Sequence, residues 1–177
     1  MSMEANRDLA RRRFTQMAAP YLDDAFTLAR WLTGNPSDAQ DVVQEACLRA
    51  LTALAATPPD NPRAWLLAVT RNAAFTWLAK NRPRALMLVG GAQEMEAVMT
   101  DDAPSPEQAL IEQADQASVT QAIGALPLVY RETLVMREIN GLSYRDIAEA
   151  TQAPVGTVMS RLARARALLA QQLGASR

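Results

Sequence analysis

The sequence predicts an all-α protein, built as two small helical domains joined by an acidic linker. Three observations lead there. Apolar residues recur at spacings of three and four, and no segment shows a strand's period of two. Asn-Pro, Gly and Pro punctuation cuts the periodic stretches into helix-length pieces. Charge is segregated: up to Arg82 there are ten basic and eight acidic residues, from Pro83 to Ser118 one basic and seven acidic, and from Val119 onward seven basic and four acidic. The net charge of −1 therefore conceals two basic flanks around an acidic middle. At 177 residues the chain has room for one or two domains, each able to bury a core. The expected boundaries are 1–83, 84–105 for the linker, and 106–177.

Taken in order, Phe14 to Leu32 reads as one helix, with Met17, Tyr21, Ala25, Leu28 and Leu32 on one side and Gly34 as its stop. Asn35-Pro36 opens the next, asparagine as cap and proline in the first turn. That helix, to Leu54, is expected to bury Val43, Cys47, Ala50, Leu51 and Leu54, and to expose Asp41, Gln44, Glu45 and Arg49. Asn61-Pro62 repeats the start, and a third helix runs to about Arg82. Arg84 to Pro106 is linker, with Gly90-Gly91, Pro104, several acids and a weak helical patch at Met95 to Met99. Ser105-Pro106-Glu107-Gln108 opens a helix to about Gly124, and Pro127 starts another that stops at Asn140-Gly141.

The run LSYRDIAEATQAPVGTVMSRLARARALL, Leu142 to Leu169, carries the strongest functional pattern. Ser143 with Asp146 is a capping-box-like start to a short helix. Thr151-Gln152-Ala153 interrupts it, and Pro154 suits the first turn of a second helix. There Val155, Val158, Leu162, Ala165 and Leu169 form a buried stripe. The opposite side carries Thr157, Ser160, Arg161, Arg164 and Arg166, with no acid between Val155 and Arg177. A short helix, a tight turn and an acid-free basic helix are the parts of a helix-turn-helix. The turn lacks the usual glycine, so Thr151 or Gln152 must take an uncommon backbone conformation. An Arg-rich amphipathic helix alone is more often a solvated surface helix than a DNA reader.

Composition narrows the chemistry. There is no histidine and one cysteine, Cys47, which leaves no disulfide framework and no ordinary zinc site. A phosphate-binding glycine loop and a nucleophile elbow are both absent from the sequence. No catalytic residue, metal or cofactor is expected. The N-terminus MSMEANRDLARRR has basic residues with no apolar run after them, so no secretory signal is read. No stretch approaches the roughly 18 apolar residues of a membrane span. The expected location is the cytoplasm, without membrane insertion.

The third helix, AWLLAVTRNAAFTWLAKNRPR, interleaves Trp65, Phe75 and Trp77 with Arg63, Arg71, Lys80 and Arg82. Each aromatic taken alone reads more readily as core. Asn72, Thr76 and Lys80 form a row four residues apart, and no acid occurs from Arg63 to Arg84. Aromatics among cations suit unstacked bases and phosphates.

Together these residues resemble an extracytoplasmic-function sigma factor of bacterial RNA polymerase. Asp38-Ala39-Gln40-Asp41-Val42-Val43-Gln44-Glu45 is similar to the family's acidic polymerase-binding motif, although Gln40 stands where an acid is common. Arg63-Ala64-Trp65-Leu66 with Arg71-Asn72 resembles its promoter-melting, −10-reading helix. Leu126-Pro127 through Tyr130-Arg131, Gly141-Leu142-Ser143-Tyr144 and Val155-Gly156-Thr157-Val158 resemble its −35-reading domain. Met159 and Ala163 stand where some members carry Arg or an aromatic.

The resemblance implies that Asp38, Asp41, Gln44 and Glu45 bind core polymerase. It implies that Arg63, Trp65, Arg71, Asn72, Thr76 and Lys80 serve −10 reading and melting, with Trp65 also read as core. For the −35 element it implies Tyr144, Gly156, Thr157, Ser160, Arg161, Arg164 and Arg166. Ser160 and Arg164 share a face, and Gly156 and Thr157 sit where helix N–H groups can hold a phosphate. Arg166 lies about 200° round from Arg164 at roughly 100° per residue, and is assigned to the DNA backbone. Arg161 suits either role. The implied partners are core RNA polymerase, promoter DNA and an anti-sigma factor. Two other readings stay open on the residues: a stand-alone helix-turn-helix regulator, and a sigma-like decoy for an anti-sigma factor.

Overall fold

The computed structural model describes residues 3–83 and 116–175; the expected linker, its weak helical patch and the start of the helix expected from Pro106 lie outside them. Among the described residues every element is helical and there is no strand.

Helix α1 spans Met3–Met17, a 3₁₀ turn Ala19–Tyr21 follows, and α2 spans Leu22–Thr33. The single helix expected from Phe14 to Leu32 is therefore two. Pro20, in the first turn of the 3₁₀ segment, has no N–H to continue an α-helix. Gly34 ends α2 in the left-handed region at φ 88°, where a glycine carries no Cβ penalty. Helix α3 is Pro36–Leu54 and α4 is Pro62–Asn81. Both start as the Asn-Pro signals imply. The Asn35 side-chain oxygen accepts from the Asp38 N–H at 2.8 Å, and that of Asn61 accepts from the Ala64 N–H at 3.2 Å. At the far end of α3, Arg13 from α1 donates to the Leu54 carbonyl at 2.8 Å, a cation on a helix C-terminus.

In the second half, α5 covers 116–124. Helix α6 is Leu128–Leu134 and continues as a π-turn over Val135–Ile139. Gly141 follows at φ 67°. Helix α7 is Tyr144–Thr151 and α8 is Val155–Ala175. Ser143 caps α7, accepting from the Asp146 N–H at 3.1 Å while its hydroxyl donates to the Asp146 carboxylate at 2.8 Å. Gln152 is the residue that turns the chain, at φ 52° and ψ 41°. Pro154 precedes α8, and its carbonyl accepts the first two helical bonds.

Burial follows the expected stripes with two shifts. On α3 the buried residues are Ala39, Val42, Ala46, Ala50 and Leu54, while Val43, Cys47 and Leu51 are half-buried. The core stripe is rotated by about one residue, because small alanines let α2 and α4 approach closely on that side. On α8, Val158, Leu162 and Ala165 are buried, Leu169 is half-buried and Val155 is exposed.

A smaller cluster joins Ala18, Ala25, Ala50, Leu54 and Leu66, with Phe14 and Trp65 packed against it. The main core is continuous across both halves: Leu28, Trp31, Val42 and Leu67 join Ile123, Leu134, Met136, Ile147, Val158 and Leu162. Helix α4 packs on α7, and α2 packs on α6. The sequence leads one to expect a separate core for each half; the halves instead share one. No described helix is long and apolar enough to cross a membrane.

Candidate nucleic-acid interface and polymerase-binding face

Four helices carry the predicted residues: α3, α4, α8 and, through Tyr144, α7. On α3, Asp41, Gln44 and Glu45 are exposed on one face. Arg49 pairs with Glu45 at 2.7 Å, leaving the face acidic but partly compensated. Leu48, the most exposed large apolar residue described at 62%, sits on the same face. Asp38 lies on the same side of the helix but is half-buried and paired. Arg82 holds its carboxylate at 2.8 Å and the Asn35 amide also donates to it, so it closes the first half by tying the end of α4 to the start of α3.

On α4 the predicted residues separate into two sets. Asn72, Thr76 and Lys80 are exposed in a row. The Thr76 hydroxyl donates to the Asn72 backbone carbonyl at 2.9 Å, and the Asn72 side-chain oxygen accepts from Arg71 at 3.3 Å. Arg63 and Arg71 are engaged inside the molecule. Arg63 donates to Asp24 at 2.7 Å and to the Asn140 carbonyl of the second half. Arg71 clasps Glu132 of α6 with two bonds, at 2.7 and 3.2 Å. The Arg71 guanidinium also lies 3.9 Å from the Phe75 ring centre, and that of Arg82 5.6 Å from the Trp77 ring centre. The interleaved cations and aromatics of this helix thus stack on each other. Trp65 packs on the smaller core cluster, in line with its core reading.

Further bonds fasten the halves. Arg131 donates to the carbonyls of Leu126 at 2.9 Å, Gly124, and Trp31 of α2 at 3.3 Å. Burial draws the Arg131 pKa down to about 10, so it stays charged at neutral pH. The Asn140 amide donates to the Asp24 carbonyl at 3.3 Å, and Asn61 reaches Asp146 at 3.3 Å. Glu132 has 1% of its side chain exposed. Burial pushes its carboxyl above the usual carboxylate range, against the opposing Arg71 hydrogen bond and charge and the Arg161 charge. The ionic part of the contact therefore returns little net energy, since desolvation offsets most of the attraction. Glu132 and Asn140 were not among the predicted residues. The sequence signal for Glu132 is its place with Arg131 between the apolar stretches Leu128 to Tyr130 and Leu134 to Met136.

On α8 the arrangement is open. Ser160 and Arg164 are exposed on one face, Gly156 is exposed, and Arg161 is half-buried. No described residue pairs with Arg164. A Cβ built on Gly156 would meet nothing within 4 Å, so no internal packing requires glycine there. The Thr157 N–H is taken by the Pro154 carbonyl at 2.9 Å. Of the two predicted positions, that leaves the Gly156 N–H for a phosphate at this end. Arg166 points away from Arg164 and pairs with Glu138 at 2.5 Å. Tyr144 is half-buried, with the Arg137 guanidinium 4.8 Å from its ring centre. Among the described residues no cluster of His, Cys, Asp and Glu could hold a metal ion. The Cys47 thiol is half-buried and its pKa is raised by burial.

These two helical units match two family models: Sigma-70 region 2 over residues 17–84, and Sigma-70, region 4 over residues 116–169. The RNA polymerase sigma-H factor of Pseudomonas aeruginosa is 35% identical over 161 residues, covering 88% of this chain and 83% of its own length. The ECF RNA polymerase sigma factor SigW of Bacillus subtilis is 29% identical over 165 residues, covering 90% of this chain and 88% of its own. Among solved structures, the sigma factor RpoE of Bartonella quintana, in complex with the anti-sigma factor NepR, superposes with a TM-score of 0.72 at 25% identity, over 93% of this chain and 98% of that one. CnrH, in complex with the cytosolic domain of CnrY, gives a TM-score of 0.65 at 28% identity, over 98% of this chain and 99% of that one. The chain belongs to the sigma-70 family, in its extracytoplasmic-function group: it is a sigma factor, which joins RNA polymerase and directs transcription initiation from promoters.

Proposed function

We propose a division of labour among α3, α4 and α8. The Asp41, Gln44 and Glu45 face of α3 meets a basic surface of core polymerase. The Asn72, Thr76 and Lys80 row of α4 takes the melted −10 strand, where exposed base edges and phosphates need polar and cationic groups. The outer face of α8 enters the major groove at −35, with Ser160 and Arg164 toward the bases and Arg166 on the backbone. The protein works in the cytoplasm and does no catalysis of its own; it lends sequence recognition to the polymerase. The observation that carries this reading is α8 itself. It is acid-free, its outer face is small and cationic, and its inner face is fixed by buried Val158, Leu162 and Ala165.

The shared core has a functional consequence. The two promoter elements lie about 25 base pairs apart by their names, or roughly 85 Å of duplex. A compact chain of this length is only about 40 Å across. The closed packing of α4 on α7 therefore belongs to the protein off the promoter, and the halves part when polymerase holds them. The two solved structures named above are complexes with a second protein, an anti-sigma factor in the case of RpoE. An anti-sigma domain that grips both halves of this chain would hold it in the closed form.

Transcription by core polymerase with and without the protein, on a genomic promoter library, tests the whole reading. The expected outcome is a set of promoters fired only with the protein. Asp41→Lys with Glu45→Lys is expected to abolish co-purification with core; normal binding by this double variant would remove α3 from the contact. Asn72→Ala is expected to impair permanganate-detected melting while core binding stays intact.

A further inference from the structure

We infer that α8 reads thymine 5-methyl groups in the −35 element through an apolar ridge led by Met159. Val155 and Met159 are two of the few large apolar side chains exposed among the described residues, at 43% and 53%. They are four residues apart on one helix. Ala163 and Ala167, also exposed, continue the same row. Successive members of a four-residue row drift by about 40° round an α-helix, so the ridge passes obliquely across the outer face of α8. Ser160 and Arg164 stand on the far side of this ridge, roughly 100° from Met159 and from Ala163 respectively. The buried stripe of Val158, Leu162 and Ala165 runs along one flank of the ridge, centred about 90° from Met159, and no ridge residue belongs to the core clusters of the described residues.

Such a ridge is expensive to leave in water unless something covers it. The charge around it says what does. There is no acid on α8; Arg166, which pairs with Glu138, lies about 20° round from Met159 on one side of the row, and Arg164 about 100° from Ala163 on the other. An apolar row walled by cations is complementary to the major groove, where phosphates line both rims and the only apolar group on the floor is the thymine methyl. The inference rests on α8 lying in the groove at −35, and it adds the base class read there. Met159 is the leading residue: its unbranched side chain reaches furthest and adapts to an irregular surface. Val155 sits at the first position of the helix, nearest the groove entry, and supports it.

The test uses the assembled holoenzyme. A −35 library is selected first; then each thymine of the preferred element, on either strand, is replaced by deoxyuridine, which lacks only the methyl group. At a thymine under the ridge, binding is expected to fall by about fourfold, the value of one buried methyl-sized group. Met159→Ala and Met159→Gln are expected to bind the thymine and deoxyuridine forms equally. Both replace an exposed side chain, so the fold should survive, and unchanged core binding and circular dichroism confirm it. A selected element insensitive to deoxyuridine at every thymine overturns this inference while leaving −35 reading by α8 in place. A deoxyuridine penalty that persists in both Met159 variants also overturns it, as does loss of core binding on Met159→Ala with no change in methyl sensitivity. A holoenzyme that selects no −35 sequence at all removes both this inference and the reading of α8 on which it rests.

Discussion

Helices α4 and α8 are the two that are proposed to meet promoter DNA, and they stand in opposite states. In α4, Arg63 and Arg71 are bonded across to the second half, and Phe75 and Trp77 lie beneath Arg71 and Arg82. In α8, Ser160 and Arg164 face solvent and Gly156 has open space around it. The same residue types, cations beside small or aromatic neighbours, are held internally in one helix and presented outward in the other. A cation in a helix is thus no reading group until its partner is known. On the proposed assignment, the −35 face is open in the free protein, whereas part of the −10 face is held by contacts with the second half.

The comparison breaks hardest at Glu132. Glu132→Ala strands Arg71 in the interface. The expected cost to the closed packing is about 3 kcal/mol, the low end for breaking a buried pair, since Arg71 keeps 17% of its side chain exposed. The radius of gyration of the free protein, from small-angle scattering, should rise above that of the parent. An unchanged radius would mean that the apolar core alone holds α4. On the open helix, Arg164→Ala is expected to cost about 2 kcal/mol at the preferred −35 site and relax preference at one base pair, with no change in closure. Holoenzyme selection on a randomised −35 library reads this directly.

A gentler change sharpens the contrast by stiffening only the ready half. Gln152 holds a left-handed conformation that costs a non-glycine residue roughly 1–2 kcal/mol. Gln152→Gly is expected to gain about 1 kcal/mol in denaturant unfolding, with −35 preference unchanged. A loss of stability would show that its side chain is needed at the turn. The smallest effect belongs to Arg166. Arg166→Ala should leave base preference intact and lower the salt slope of promoter binding by about one. A changed preference instead would mean that α8 is rotated in the groove.

Local signals made most of this fold legible. Asn35 and Asn61 cap where asparagine before proline implies, Ser143 and Asp146 form the expected box, and Gln152 takes the strained conformation that a glycine-free turn demands. These features depend on a few neighbouring residues, so a sequence carries them. Missed features depend on distant partners or on small competing choices. Pro20 broke a helix whose apolar spacing ran on without interruption. Val155 fits the buried stripe by spacing, yet lies before the helix has met its neighbours and is exposed. The engagement of Arg63 and Arg71 needed Asn140 and Glu132, which are 77 and 61 residues away in the chain. Only a charged pair set between apolar stretches hinted at that contact.

The π-turn at Val135–Ile139 bears on how this protein could be re-engineered. Its closing bond, from the Asn140 N–H to the Val135 carbonyl at 2.9 Å, spans five residues where an α-turn spans four. The segment therefore carries one residue beyond what an α-helix would need. Deleting a single residue there is expected to let the backbone close into ordinary α-helical bonds. The wide turn holds the extra residue locally, so the helices after Gly141 should keep their heading, and this one change of chain length should leave every side chain proposed to meet DNA where it is.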